Sequence, residues 1–287
     1  MFAIYKKELR SYFNSMMGYI FIAFFLVIIG LYFVVYNLIN GLPKFEYVLS
    51  AVSFIFTVLV PILTMRIMAE ENRQKTDQLL LTSPLKIESI VIGKYLSIMT
   101  IYAIVMLIIS FYPFILTKYG TVNLKTAYAS IFGFFLFGGA YIAIGLFISA
   151  LTDNQVVAAV ITFIVLLITT LMESIAGILP TDNKSAWLIF SVLFIILCFI
   201  SYVLMRNVIL SLGIGILGEF ILSILYIVKP TIYDGSILLV FKWFSIASRY
   251  DDFSQGLFNI SSIVYYISII FIFTFLTAQA LKKRRWS

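Results

Sequence analysis

Five long stretches of this chain, residues 11–43, 95–117, 126–152, 185–205 and 253–281, contain no charged residue at all. Each reaches or exceeds the roughly 20 residues with which an α-helix crosses about 30 Å of hydrocarbon. A length of 287 residues would otherwise suggest one or two soluble domains, but 62% hydrophobic and 11% charged residues remove that reading. Backbone polar groups in hydrocarbon must be satisfied within the segment, so helices make up most of the chain. The expected fold class is an all-alpha polytopic membrane protein.

The net charge of +7 invites a nucleic-acid reading that the positions do not support. Most basic residues flank apolar segments, where anionic lipid headgroups are the nearer partner, so lipid membrane and no nucleic acid is expected. Histidine is absent and Cys198 stands alone in an apolar run, which leaves no intrachain disulfide and no Cys/His metal cluster. The apolar run after Lys6, Lys7 and Arg10 is about twice as long as a signal-peptide core, and it reads as a retained anchor.

Eight spans are expected, at 18–39, 48–68, 92–116, 127–149, 156–177, 186–205, 208–228 and 261–281, the seventh crossing fully or re-entering around Glu219. Placing both termini in the cytoplasm puts thirteen of the twenty basic residues on that side, including Lys282, Lys283, Arg284 and Arg285. Residues 229–260 are less apolar and read as an external or re-entrant connector.

Two polar elements stand out. Residues 69–81 have helical composition that stops at Ser83-Pro84, and Glu70, Glu71, Arg73, Lys75 and Asp77 supply both charge signs. Either this is a solvated helix end, or it docks a cytoplasmic protein in a fixed orientation. At the N-terminus, Tyr5, Leu9, Tyr12 and Phe13 share a helix face opposite Lys6, Lys7 and Arg10, the pattern of an interfacial helix. That helix is either a plain membrane anchor or a mechanical link. Glu173 and Glu219 are the main ionisable residues within apolar runs, facing a translocation path or a partner helix.

No nucleotide-binding loop is present: Gly93-Lys94-Tyr95 lacks the glycine-rich cradle before it and the Ser/Thr after it. No carboxylate pair, serine triad or metal-ligand set argues for catalysis, so none is expected and no cofactor is bound by the chain. A secondary transporter is disfavoured, since no inverted repeat is evident.

Several segments carry a family likeness. They are Tyr5-Lys6-Lys7-Glu8-Leu9-Arg10-Ser11-Tyr12-Phe13, Met65-Arg66-Ile67-Met68-Ala69-Glu70-Glu71, Gly93-Lys94-Tyr95, Gly145 to Gln155, and Arg249-Tyr250 to Gly256. In these the chain resembles the permease subunit of a bacterial ABC-2 type transporter, particularly gliding-motility-associated and nitrous-oxide-reductase-maturation permeases. The resemblance implies an ABC-2 type transmembrane domain over residues 1–287. It makes 2–14 a connecting helix and 69–81 a coupling helix received by the ATPase. It implies two ABC ATP-binding subunits that hold ATP and Mg, a second identical or related permease subunit, and an extracytoplasmic accessory protein as a further partner. The bacterial cytoplasmic membrane is the implied location. The extra apolar material at 186–228 departs from the usual six-span core. The expected function is ATP-powered export or extraction of a hydrophobic or amphipathic substrate. The alternative is ATPase-coupled mechanotransmission to an extracytoplasmic partner without transport.

Overall fold

The computed structural model describes residues 1–76, 85–205 and 208–286, and these are almost entirely helical. In order they form α1 (Phe2–Asn14), α2 (Met17–Phe33) with a π-helical extension Val34–Ile39, α3 (Glu46–Gln74), α4 (Ile87–Ile109) and α5 (Tyr112–Leu116). There follow α6 (Leu124–Leu151), α7 (Gln155–Ile178), α8 (Asn183–Met205), α9 (Val208–Val228), a 3₁₀ turn Pro230–Tyr233, α10 (Ser236–Phe244), α11 (Tyr250–Ser254) and α12 (Ile260–Trp286). Two compact units result, one of Met1–Thr170 with Ile246–Ser287, the other of Leu171–Ser245.

In the first unit α6 is the central helix. Its most apolar window is 78% buried, against 17% for α12. α3, α4, α11 and α12 all pack on it. Small residues make that centrality available, because a helix surrounded by neighbours must let them come close. At Gly138 a Cβ would lie 2.4 Å from the ring of Tyr102, so the ring occupies the space a side chain would need. The Tyr102 hydroxyl then donates to the Phe134 carbonyl at 2.7 Å, which satisfies its one polar atom inside the bundle. Around this contact the ring of Phe56 on α3 lies 5.2 Å from Phe25, 5.1 Å from Tyr102 and 5.4 Å from Phe134. All four side chains are fully buried. These aromatics are packing material for four helices.

The second unit is built around α8, α9 and the 3₁₀ turn. Tyr233 and Ile237 pack on Ala186, and Trp187 stacks on Tyr226 at 5.5 Å. The Tyr233 hydroxyl donates to the Leu222 carbonyl at 2.8 Å.

Helices occupy all eight places expected from the sequence. Among the described residues six helices are long and apolar enough to span, and a seventh arises only if Gly215–Val228 and Pro230–Phe244, bent by 112°, form one broken span. Eight crossings are therefore not established. Both places left open lie in the second unit, next to residues outside the described ones. The expected connector 229–260 is itself largely helical, comprising the 3₁₀ turn, α10 and α11.

Candidate functional site

Four of the segments that carried the family likeness converge at one end of the first unit, while Arg249 to Gly256 packs on the other end of α6, where Ser130 donates to the Phe253 carbonyl at 3.0 Å. α1 occupies residues expected of an N-terminal helix, but its buried line differs from the expected stripe of Tyr5, Leu9, Tyr12 and Phe13. The fully inward residues are Ile4, Glu8 and Tyr12, spaced by four, with Lys6, Lys7 and Arg10 outside. Spacing of four keeps side chains on one helix face, so Glu8 is carried inward between two apolar neighbours. A buried carboxylate there requires a cation.

Lys94 supplies it. Three successive residues of α4 project in different directions, each with a different task. Gly93 faces α1, where a Cβ would come within 3.1 Å of the Met1 carbonyl and 3.3 Å of Ile4. Tyr95 donates to the Gly139 carbonyl of α6 at 3.2 Å. Lys94 lies between them with no solvent exposure. Its ammonium meets Glu71 Oε2 at 2.7 Å and Glu8 Oε1 at 3.2 Å, and it donates to the Ile67 carbonyl at 2.9 Å. Those three contacts use the three N–H bonds an ammonium has. Lys7 closes the group from outside, donating to Glu71 Oε1 at 2.9 Å and lying 3.4 Å from Glu8 Oε1. Two cations and two carboxylates thus cancel at the meeting point of α1, α3 and α4. The Lys7 ammonium is held above its ordinary value of 10.5: partial burial pulls it down, and Glu71 and then Glu8 more than offset this.

Further polar ties join the same end to α6. The Ser149 hydroxyl accepts from the backbone N–H groups of Met68 and Ala69 at 3.2 and 3.1 Å and donates to the Met65 carbonyl at 3.1 Å. Asn72 donates to the Thr152 carbonyl at 3.2 Å, satisfying a group that the end of α6 leaves open. Lys282 of α12 pairs with Glu88 at 2.5 Å, and Arg284 pairs with Asp153.

Residues 69–74 are the last turns of α3, so the polar element begins as a continuation of a long helix. α3 ends because Lys75 turns left-handed, with φ 56°, and its N–H returns to the Asn72 carbonyl at 3.3 Å. Of the residues singled out there, Glu70 pairs with Arg66 one turn back and accepts from Gln74 at 3.2 Å. Glu71 points inward to Lys94, while Arg73 and Lys75 are exposed. Asp77 and the rest of the expected helix to residue 81 lie outside the described residues. Glu173 forms a half-exposed pair with Lys242 at 3.4 Å, and Glu219 accepts from Ser191 at 3.0 Å. The site's two central residues, Glu8 and Lys94, were not among those the sequence singled out as functional. The available signal was a single acid on the inner face of a basic helix and a single lysine seven residues inside an apolar one.

A family model described as ABC-2 family transporter protein matches residues 36–232, more than half of the chain. The protein belongs to the ABC-2 transporter family. No curated protein and no solved structure matches it. The match runs from the end of α2 through α9, so it takes in Glu71 and Lys94 and leaves α1 and α12 outside. An ABC-2 membrane domain is a non-catalytic part of an ABC transporter, whose architecture joins permease and ATPase partners. The Lys94 group ties α1, α3 and α4 together with all three ammonium donors committed. Pulling α1, α3 or α4 away from the others would strand a buried charge, a loss of about 3–5 kcal/mol.

Proposed function

We propose that this ABC-2 permease is driven through the end of α3. In this reading residues 69–81 form the coupling element that a separate ATP-binding subunit receives, with Glu70, Glu71, Arg73, Lys75 and Asp77 setting its position. α1, residues 2–14, is the connecting helix at the cytoplasmic membrane surface. Two permease chains, identical or related, sit over two ATP-binding subunits that hold ATP and Mg, and both termini of each chain are cytoplasmic in a bacterial cytoplasmic membrane. The work exports or extracts a hydrophobic or amphipathic substrate, in the manner of the gliding-motility-associated and nitrous-oxide-reductase-maturation permeases. An extracytoplasmic accessory protein completes the assembly.

The observation that carries this reading is the pairing of Glu71 with the fully buried Lys94 and, through it, with Glu8. Displacement of the α3 terminus is then transmitted to α1 and α4 as a rigid body, where a loosely attached loop would absorb it. Copurification of the unmodified complex, followed by ATP turnover and substrate movement in vesicles, tests it. Replacing residues 69–81 with a Gly/Ser segment is expected to abolish ATPase association. Normal association and membrane-stimulated turnover after that replacement would overturn the reading. Normal turnover without vesicle transport of any amphiphile would shift the function to force transmission.

A further inference from the structure

At the end of the first unit away from Lys94, three segments surround a polar chamber of about 630 Å³. They are residues 43–47 entering α3, 121–126 entering α6 and 254–255 ending α11. Hydrogen bonds hold each segment in place, so the chamber is formed before any ligand arrives. Asn37 donates to the Leu42 and Lys44 carbonyls at 2.6 and 3.2 Å, and the Asn123 side chain accepts from the Thr126 N–H at 3.4 Å. Ser130 holds the third segment through the Phe253 carbonyl. Gly256, with φ 78°, then passes α6 so closely that a Cβ would lie 2.7 Å from Thr126 Oγ1.

Glu46 is the buried member of this lining, with 7% exposure. No side chain among the described residues bonds its carboxylate, and the hydrogen bond it does receive comes from its own backbone N–H. Its oxygens are not sealed in, in contrast to Glu219 Oε1, so the unmatched acceptor faces the chamber that the residue lines. The first turn of a helix favours a carboxylate, which accounts for an acid at this position but not for its burial without a cation. Lys44 is the other charged residue of the lining, and it forms no ion pair with Glu46. Its ammonium meets the Tyr47 hydroxyl at 3.3 Å and lies 5.2 Å from the centre of the Tyr47 ring. One anion and one cation thus share a chamber without touching. Thr121, Thr126, Asn123 and Gln255 add hydroxyls and amides, and an acyl chain would have only Pro43 and the Tyr47 ring to lie on. A metal ion would find one carboxylate, too few anionic ligands for a chamber of this size.

We propose that this chamber binds a small polar zwitterion of amino-acid to dipeptide size, its ammonium donating to the Glu46 carboxylate and its own carboxylate received by Lys44. Opposite charges on the ligand match the balanced pair on the wall, whereas a simple cation would be repelled by Lys44 and a simple anion by Glu46. This concerns binding alone and does not rest on the ATP-driven reading.

The test is saturation-transfer NMR on the full chain in phosphatidylcholine nanodiscs without nucleotide, with empty nanodiscs as the blank. The probes are glycylserine, N-acetylglycylserine, which lacks the ammonium, and glycylserinamide, which lacks the carboxylate. Glycylserine is expected to give at least five-fold more signal than the acetylated form, with the amide between them. Glu46→Gln should bring glycylserine down to the acetylated level, and Lys44→Gln should bring it down to that of the amide. Gln255→Trp, which fills the chamber from its exposed rim and keeps the carboxylate, should lower the glycylserine signal as well. Equal signals from glycylserine and its acetylated form, or no signal from any probe, would overturn the proposal. So would an undiminished glycylserine signal in Glu46→Gln or in Gln255→Trp. An amide signal equal to that of glycylserine would remove Lys44 from the site and overturn the zwitterion.

Discussion

Lys94 and Glu219 look alike in the sequence, each a solitary charge within an apolar helix, and the structure treats them in opposite ways. Lys94 is closed off: three acceptors take its three protons, and Lys7 balances the second carboxylate. Glu219 keeps one buried oxygen that no donor among the described residues reaches. A buried charge that is fully matched holds its surroundings together, because any separation exposes an unpaired ion to a poor solvent. One left half matched holds little. The contrast supports the proposed transmission through the first region.

Breaking the closed site is expected to have the largest effect. Lys94→Met preserves length and apolar packing but strands Glu8 and Glu71, and should destabilise the protein by about 3–5 kcal/mol, seen as a lower thermal unfolding midpoint in detergent. Adding Glu8→Gln and Glu71→Gln removes the stranded charges and should restore most of that loss. Recovery of stability without recovery of ATPase stimulation would separate the joint's mechanical role from its contribution to folding. A Lys94→Met variant as stable as the parent would erase the contrast between the two regions.

Glu219→Gln should move stability the other way. The charge with no second donor disappears, so the protein is expected to be unchanged or more stable by up to about 1–2 kcal/mol. A loss above that size would mean that Glu219 is matched after all. Next in size, Tyr95→Phe removes the neutral hydrogen bond to Gly139 beside Lys94 and should cost about 1 kcal/mol, leaving the carbonyl to relax within α6. The interval between this variant and Lys94→Met measures what charge adds to a joint on the same helix.

The course of the helices was open to reading from the sequence, because charge-free length is a local property and hydrocarbon admits few backbone solutions. α1 and α6 fall within a few residues of the expected bounds. What escaped was pairing across distance. Glu8 and Lys94 are 86 positions apart. Nothing in either local pattern names the other: Lys94 counts among the basic residues of the cytoplasmic side, and Glu8 enters only within the N-terminal segment of the likeness. Gly93-Lys94-Tyr95 fails as a phosphate loop and enters only through the family likeness, although its three residues each meet a different neighbour. Glu71 was singled out, but as an outward charge, because composition gives the charges on a helix without saying which of them a neighbour will claim. The expected helix over 69–81 took its start from the first polar residues, whereas the backbone continues α3 without a break to Gln74.

The smallest expected effect comes from the other acid that the sequence placed beside Glu219. Glu173 lies in an apolar helix too, yet it and Lys242 remain 41% and 45% exposed at 3.4 Å. An exposed pair gains little Coulomb energy and restrains two long side chains, so a double-mutant cycle of Glu173→Gln and Lys242→Met should give a coupling under about 1 kcal/mol. The same cycle applied to Glu71 and Lys94 should exceed it several-fold, since Lys94 has no exposure and Glu71 only 15%. Equal couplings in the two cycles would show that burial does not separate the joints, and the rigid link from α3 to α4 would lose its energetic basis.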